Sequence, residues 1–110
     1  KVIYEGFQGK LMEAVDELAA THEWSEETRD EVVRIVDETG EAIRAIRADQ
    51  RAGEISGAQA RKELRDARVS STEQLVPLIG AEAEVELQGK ITDVRHSMRR
   101  DVREKLGDAE

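Results

Sequence analysis

The sequence predicts an all-α fold of four helices in antiparallel arrangement. Three observations lead to this prediction. Apolar residues recur at spacings of three and four along most of the chain, which places them on one face of successive helices. No segment alternates apolar and polar residues over enough positions to predict a strand. Only 38% of the residues are hydrophobic and 3% are aromatic, so the core consists of narrow aliphatic stripes, which suits helices that pair lengthwise.

The first helix is predicted over residues 2–22 and the second over residues 26–52. The second helix begins after Ser25, because its hydroxyl can accept a free backbone N–H while Glu26 and Glu27 lie at the positive end of the helix dipole. The predicted apolar face of the first helix consists of Ile3, Phe7, Leu11, Val15 and Leu18. That of the second consists of Val32, Ile35, Val36, Thr39, Ile43 and Ile46.

Residues 53–57 interrupt the helical pattern, and Ser56 with Gln59 forms a capping box for a third helix over residues 57–79. A connection this short places consecutive helices side by side and antiparallel. Pro77 removes a backbone donor, so we expect a kink or break between residues 74 and 78. The apolar face of the third helix is made largely of small residues: Ala60, Leu64, Ala67, Ser71, Leu75 and Leu78.

Gly80 separates the third helix from a fourth, predicted over residues 82–106. We assign residues 1–110 to a single helical domain, because a chain of 110 residues has the size of one domain. So narrow a core gains buried area by self-association, and we therefore expect a homodimer. The apolar face of the fourth helix consists of Leu87, Ile91, Val94, Met98 and Val102.

Charge and composition exclude several classes of function. The chain has 25 acidic and 17 basic side chains and a net charge of −8, which disfavours nucleic acid and anionic membrane surfaces as partners. The absence of cysteine excludes disulfides, thiol catalysis and thiolate metal sites. No apolar run approaches the roughly 20 residues that span a bilayer. Because the sequence starts at Lys1 rather than methionine, an export signal or a membrane anchor could precede it.

Two segments 55 residues apart, 24–28 and 79–83, each open a predicted long helix, and a short turn lies between these helices. This pattern resembles the Spy/CpxP-like periplasmic stress proteins and the related heavy-metal-resistance sensor domains, which carry two Leu-Thr-x-x-Gln motifs, each at the start of a long helix. Ser25 keeps the hydroxyl of the first motif, whereas Gly80 and Ala83 stand where the second motif has Thr and Gln.

The resemblance implies a hooked, dimeric four-helix protomer in the periplasm. Its implied function is that of a stress-response chaperone or adaptor, whose partner is an unfolded client or an envelope sensor. Two alternatives stay open: a metal-responsive sensor domain of an envelope stress or metal-resistance system, and a structural dimerisation module of a larger membrane-anchored protein.

The candidate partner-binding residues form two groups. Basic side chains recur on both sides of the turn between the second and third helices, where they could bind an acidic segment or anionic client. The alternative is a solvated face paired with neighbouring acidic residues. Trp24 could anchor the start of the second helix, or form an apolar binding patch together with Phe7 and Tyr4. The six arginines of the first group are Arg44, Arg47, Arg51, Arg61, Arg65 and Arg68.

The candidate metal ligands are Asp93 with His96, and His22 with Glu26 one turn later. Zinc or another transition metal is the ion such side chains suit, but structural zinc sites use four ligands and each pair supplies two. We therefore expect no cofactor. The sequence has neither a nucleophile backed by a base nor a glycine-rich phosphate loop, so we predict that the protein is not an enzyme.

Overall fold

The computed structural model describes the backbone of residues 2–108 and the side chains of residues 9–97. It contains four α-helices and, within residues 2–108, no strand, so the prediction of an all-α fold of four helices is confirmed. The observed helix ends lie within two residues of the predicted ones. None of the described helices is long and apolar enough to cross a membrane. The helices are α1 (Val2–His22), α2 (Glu26–Arg51), α3 (Gly57–Ile79) and α4 (Ala81–Asp108).

Serine side chains define where α2 and α3 begin. The Ser25 hydroxyl accepts a hydrogen bond from the backbone N–H of Thr28 at 3.1 Å, and the Ser56 hydroxyl accepts one from the backbone N–H of Gln59 at 3.0 Å. Each bond satisfies an N–H group that has no partner within the helix. Both caps are those that the sequence predicts.

Gly80 is the single residue between α3 and α4, and its backbone hydrogen-bonds to both helices. The backbone N–H of Gly80 donates to the carbonyl of Val76 at 2.9 Å, and the carbonyl of Gly80 accepts from the N–H of Glu84 at 3.1 Å. Gly80 has φ +88° and ψ 157°, a conformation that only glycine adopts without strain. The connection of α3 to α4 through a single residue therefore depends on glycine at this position.

Pro77 lies inside α3, which continues to Ile79. Of the predicted kink or break between residues 74 and 78, the break is therefore wrong, and the kink stays a prediction. A proline removes one backbone hydrogen bond from a helix. Here Leu75 is fully buried and Leu78 packs against the core, so apolar contacts on both sides of the proline hold the last turns of α3 in place.

The hydrophobic core lies towards one end of the molecule. Its residues fall within two parts of the sequence, 11–36 and 75–87, whereas Ala60 is the only buried residue between positions 44 and 70. The molecule measures 45 × 35 × 21 Å, and its smallest dimension is about two helix diameters, so the core is thin. The core cluster consists of Leu11, Val15, Leu18, Val32, Ile35, Val36, Leu75 and Leu87.

The helices contact each other most extensively in two pairs, α2 with α3 and α1 with α4. Ile35 of α2 and Leu78 of α3 line one shallow depression, and the Gln50 side chain lies beside Gly57 near the connection between these helices. α1 and α4 run antiparallel, because residues late in α1 bond to residues early in α4. Their hydrogen bonds are Lys10 to Ser97 at 3.3 Å, Lys90 to Glu17 at 2.8 Å, and His22 with Glu86 at 2.8 Å.

Candidate functional site

The segment around the α2–α3 connection has a charge opposite to that of the rest of the chain. We call residues 44–68 the basic end. It contains seven basic and four acidic side chains, a formal net charge of +3. The remaining residues, with ten basic and 21 acidic side chains, carry −11. A positive surface is thus concentrated at one end of an acidic molecule, where it can attract an anionic partner.

The arginines of the basic end are largely solvent-accessible. Arg47 is half-buried and the other five predicted arginines are exposed. Arg44 interacts with a neighbouring group. None of the ion pairs described among residues 9–97 involves the remaining five, which are Arg47, Arg51, Arg61, Arg65 and Arg68.

The acidic residues close to these arginines in sequence do not pair with them. Glu54, Glu63 and Asp66 take part in none of the ion pairs that the structure describes, so the paired, solvated face considered above is not the observed arrangement. One carboxylate oxygen of Glu63, Oε2, is buried and has no hydrogen-bond partner within the described part of the chain. A buried acceptor without a partner is destabilising, so Glu63 does not contribute to the stability of the basic end in the way an ion pair would.

Arginines in the first half of α2 have acidic partners. The Arg29 guanidinium donates to Asp16 at 2.7 Å and to Asp30 at 3.1 Å, and the hydrogen bond to Asp16 is the main cause of a raised Arg29 pKa. Arg34 bonds in the same way to two carboxylates on neighbouring turns of α2. Hydrogen bonding therefore stabilises the charged form of each arginine and holds its side chain against the carboxylates.

Arg34 donates to Glu38 at 2.8 Å and also to Glu31. The hydrogen bond from Arg34 lowers the pKa of the Glu31 carboxyl below its ordinary value of 4.5, because it stabilises the charged carboxylate. The same bond is the main cause of a raised Arg34 pKa. These pairs lie three and four residues apart on one helix, the spacing at which side chains meet.

A cavity of about 340 Å³ lies where residues of all four helices meet. Its apolar lining is formed by Leu11, Val36, Ile43 and Ile91, of which the first three are buried. Its polar lining is formed by Arg44, Arg68, Arg95, Asp37, Thr39, Ser71, Gln88 and Thr92. Two of the predicted surface arginines, Arg44 and Arg68, therefore also border an internal space.

The sequence did not predict this cavity, although two small residues in the apolar faces signal it. Gly40 lies in the middle of α2 and lines the cavity. A Cβ atom there would approach only Nη1 of Arg44, at 3.5 Å, an ordinary contact distance. Ser71 is the corresponding small, buried residue in α3. Where neighbouring helices both carry small side chains, the space that larger ones would fill stays open.

Trp24 contacts the core rather than standing apart from it. Its backbone N–H donates to the carbonyl of Ala19 at 3.0 Å, and its half-buried ring packs against the core cluster. The ring also stacks on His22, with centroids 6.0 Å apart and planes inclined by 18°. This arrangement is that of a structural anchor at the α1–α2 connection. The Phe7 side chain lies outside the described residues.

The predicted metal ligands belong to no cluster of three or more ligating side chains among residues 9–97. His22 Nε2 lies 2.8 Å from Glu86 Oε2, and Glu26 is exposed in the first turn of α2. Asp93 and His96 are exposed on α4. Among the side chains of residues 9–97, no three histidine or carboxylate groups come together in a way that could hold a metal ion.

The chain was compared with known proteins at the level of both sequence and structure. It matches no protein-family model, and neither a curated protein nor a solved structure matches it.

Proposed function

We propose that this chain is a non-catalytic helical binding protein that holds an acidic segment of an unfolded polypeptide on its basic end. One observation carries the proposal: five arginines there have no ion-pair partner within the described residues, on a chain with a net charge of −8. A guanidinium group presents five N–H donors in a fork that fits a carboxylate. Such side chains are suited to binding carboxylates of another chain.

The resemblance to the Spy/CpxP-like stress proteins supports a more specific role. Those proteins act in the periplasm, and the proposed role is that of a chaperone or adaptor in the envelope stress response. Both segments that carry the resemblance lie at helix starts, because Ser25 caps α2 and Gly80 immediately precedes α4. This placement supports the resemblance, and the periplasmic role depends on it.

We further propose that α2 and α3 form an antiparallel hairpin and that two protomers associate as a homodimer. The hairpin is supported by Ile35 and Leu78 near the far ends of the two helices and by Gln50 beside Gly57 at the connection. The dimer is supported by the thin core and by two exposed apolar side chains, Val69 and Val85.

The test is an aggregation assay with a denatured acidic client and the variant Arg61→Gln/Arg65→Gln. We expect the double variant to bind the client about tenfold more weakly, since each surface ionic contact contributes on the order of 1 kcal/mol or less. Raising the salt concentration should weaken binding by the original protein more than binding by the variant, because salt screens exposed charges.

The matched control is Arg29→Gln/Arg34→Gln, which removes the same charge from the other half of the molecule. It should suppress client aggregation as well as the original protein does, because its arginines already bond to carboxylates of this chain. Equal loss in both variants would mean that net charge alone matters, and the proposal would be wrong. No suppression of aggregation by the original protein would also contradict it.

A further inference from the structure

We propose that the cavity between the four helices is a binding site for a small amphipathic carboxylate, an organic anion with one carboxylate group and a short hydrocarbon body. The cavity shares Arg44 and Arg68 with the basic end but not Arg61 or Arg65, and the ligand class is different from a polypeptide. The inference therefore goes beyond the proposed function and does not depend on it.

The apolar lining accounts for the hydrocarbon body. Leu11, Val36 and Ile43 are buried and come from two helices, and Ile91 of α4 extends the same surface. A volume of about 340 Å³ falls within the range of roughly 300–1,000 Å³ that small-molecule sites occupy. A short hydrocarbon chain placed there would lose its contact with water, which is favourable at about 25 cal/mol per Å² of apolar surface.

The charged lining accounts for the carboxylate. Arg44, Arg68 and Arg95 come from three different helices, and among the described residues of the lining only Asp37 is acidic. Asp37, Arg44 and Arg95 each interact with a neighbouring group of the chain, whereas Arg68 takes part in none of the described ion pairs. The formal charge around the cavity is therefore positive. Guanidinium groups bind carboxylates through pairs of parallel hydrogen bonds, and such contacts strengthen where water is partly excluded. Hydroxyl groups of Ser71 and other lining residues can add neutral hydrogen bonds.

The apolar and the charged parts of the lining together favour an amphipathic carboxylate over a neutral hydrocarbon or a small inorganic anion. A neutral hydrocarbon would not use the positive charge of the lining, and inorganic phosphate would leave the apolar lining uncovered. Only a molecule with both parts uses the whole cavity. Gly40 keeps the space open, since a side chain at this position would extend into it next to Arg44.

Calorimetric titration of the full chain with octanoate, 1-octanol and inorganic phosphate tests the proposal. We expect octanoate to bind and the other two probes to bind at least tenfold more weakly. Octanol lacks the charge that the arginines recognise, and phosphate lacks the hydrocarbon body. Equal affinity for octanoate and octanol, equal affinity for octanoate and phosphate, or no binding of octanoate would each overturn the proposal.

Two variants locate the binding. Gly40→Leu fills the cavity and should weaken octanoate binding at least tenfold, whereas Gly89→Leu on α4, where a Cβ atom would meet nothing within 4 Å, should leave it unchanged. Arg95→Gln removes one charge of the lining without touching the basic end, and should weaken octanoate binding but not octanol binding. Thermal unfolding of each variant verifies that it folds. Full octanoate affinity in folded Gly40→Leu, or in Arg95→Gln, would refute the site.

The two proposals can fail separately. Gly40→Leu and Arg95→Gln leave Arg61 and Arg65 unchanged, so they should suppress client aggregation like the original protein. Conversely, Arg61→Gln/Arg65→Gln should bind octanoate normally, because neither residue lines the cavity.

Discussion

Two sets of arginines in this molecule have the same chemistry but different surroundings. In the first half of α2, Arg29 and Arg34 each bond to two carboxylates. At the basic end, Arg61 and Arg65 of α3 form none of the described ion pairs, although acidic residues are close in sequence. The difference shows that a short distance along the sequence between opposite charges does not by itself produce an ion pair. An arginine is available to a partner only where the chain's own carboxylates are directed elsewhere.

The same two regions differ in how much apolar surface they bury. The core cluster lies within residues 11–36 and 75–87, and the basic end contributes only Ala60 to the buried residues. The buried core and the proposed binding surface thus involve different parts of the chain. Substitutions at the basic end should change binding with little effect on folding, and substitutions at the core end should do the reverse.

The largest effect should come from shortening a core leucine. Leu75→Ala should lower the free energy of unfolding by about 2–5 kcal/mol, because a fully buried leucine loses its contacts and leaves a cavity. Leu64→Ala, in the same helix at the basic end, should cost clearly less, because Leu64 is only half-buried. Denaturant unfolding of both variants measures the difference. Equal losses would show that the basic end is as tightly packed as the core.

A smaller effect should come from replacing a glutamate. Glu63 has one buried carboxylate oxygen, and the side chain of Glu84 is buried. Glu63→Met should raise the free energy of unfolding by about 1 kcal/mol, because it removes a buried carboxylate oxygen without a partner. Glu84 is buried but accepts a hydrogen bond from the Thr72 hydroxyl at 3.1 Å, so Glu84→Met should give no such gain. Thermal unfolding at neutral pH compares them. A loss of stability in Glu63→Met would mean that its carboxylate has a favourable role.

The smallest effect should be the pH dependence of the paired arginines. Because the folded-state pKa of Glu31 is lowered, its pair with Arg34 stabilises the folded chain above the ordinary pKa of 4.5, and this stabilisation is lost as pH falls through the folded-state pKa. The melting temperature of Arg34→Gln should therefore fall less between about pH 5 and pH 3 than that of the original protein. Arg65→Gln is the control from the basic end. Its acid dependence should match that of the original protein.

The helices could be predicted well because local chemistry determines them. Ser25 and Ser56 cap helices through hydrogen bonds within three residues, so the sequence alone identifies where α2 and α3 begin. The break expected at Pro77 did not appear, because burial of Leu75 outweighs the local preference of proline, and burial depends on residues far away in the sequence.

The candidate site could be predicted only in part. The arginines on both sides of the turn are visible in the sequence, but whether they pair depends on side-chain directions that spacing does not determine. The cavity could not be predicted, because it requires Gly40 of α2 and Ser71 of α3 to lie at the same level beside Ile91 of α4. That relation follows from how four helices are shifted along one another, which the two small residues in the sequence do not reveal by themselves.

The contacts between α1 and α4 have a consequence for the order in which the chain folds. The three hydrogen bonds described between these helices within residues 9–97 join residues that lie 64, 73 and 87 positions apart in the sequence, whereas α2 and α3 meet through a connection of five residues. Closing a long loop costs more entropy than closing a short one, and folding slows as contacts become less local. We therefore expect α2 and α3 to pair early and α1 to join α4 late, so that the rate of unfolding is governed by separation of the first helix from the last.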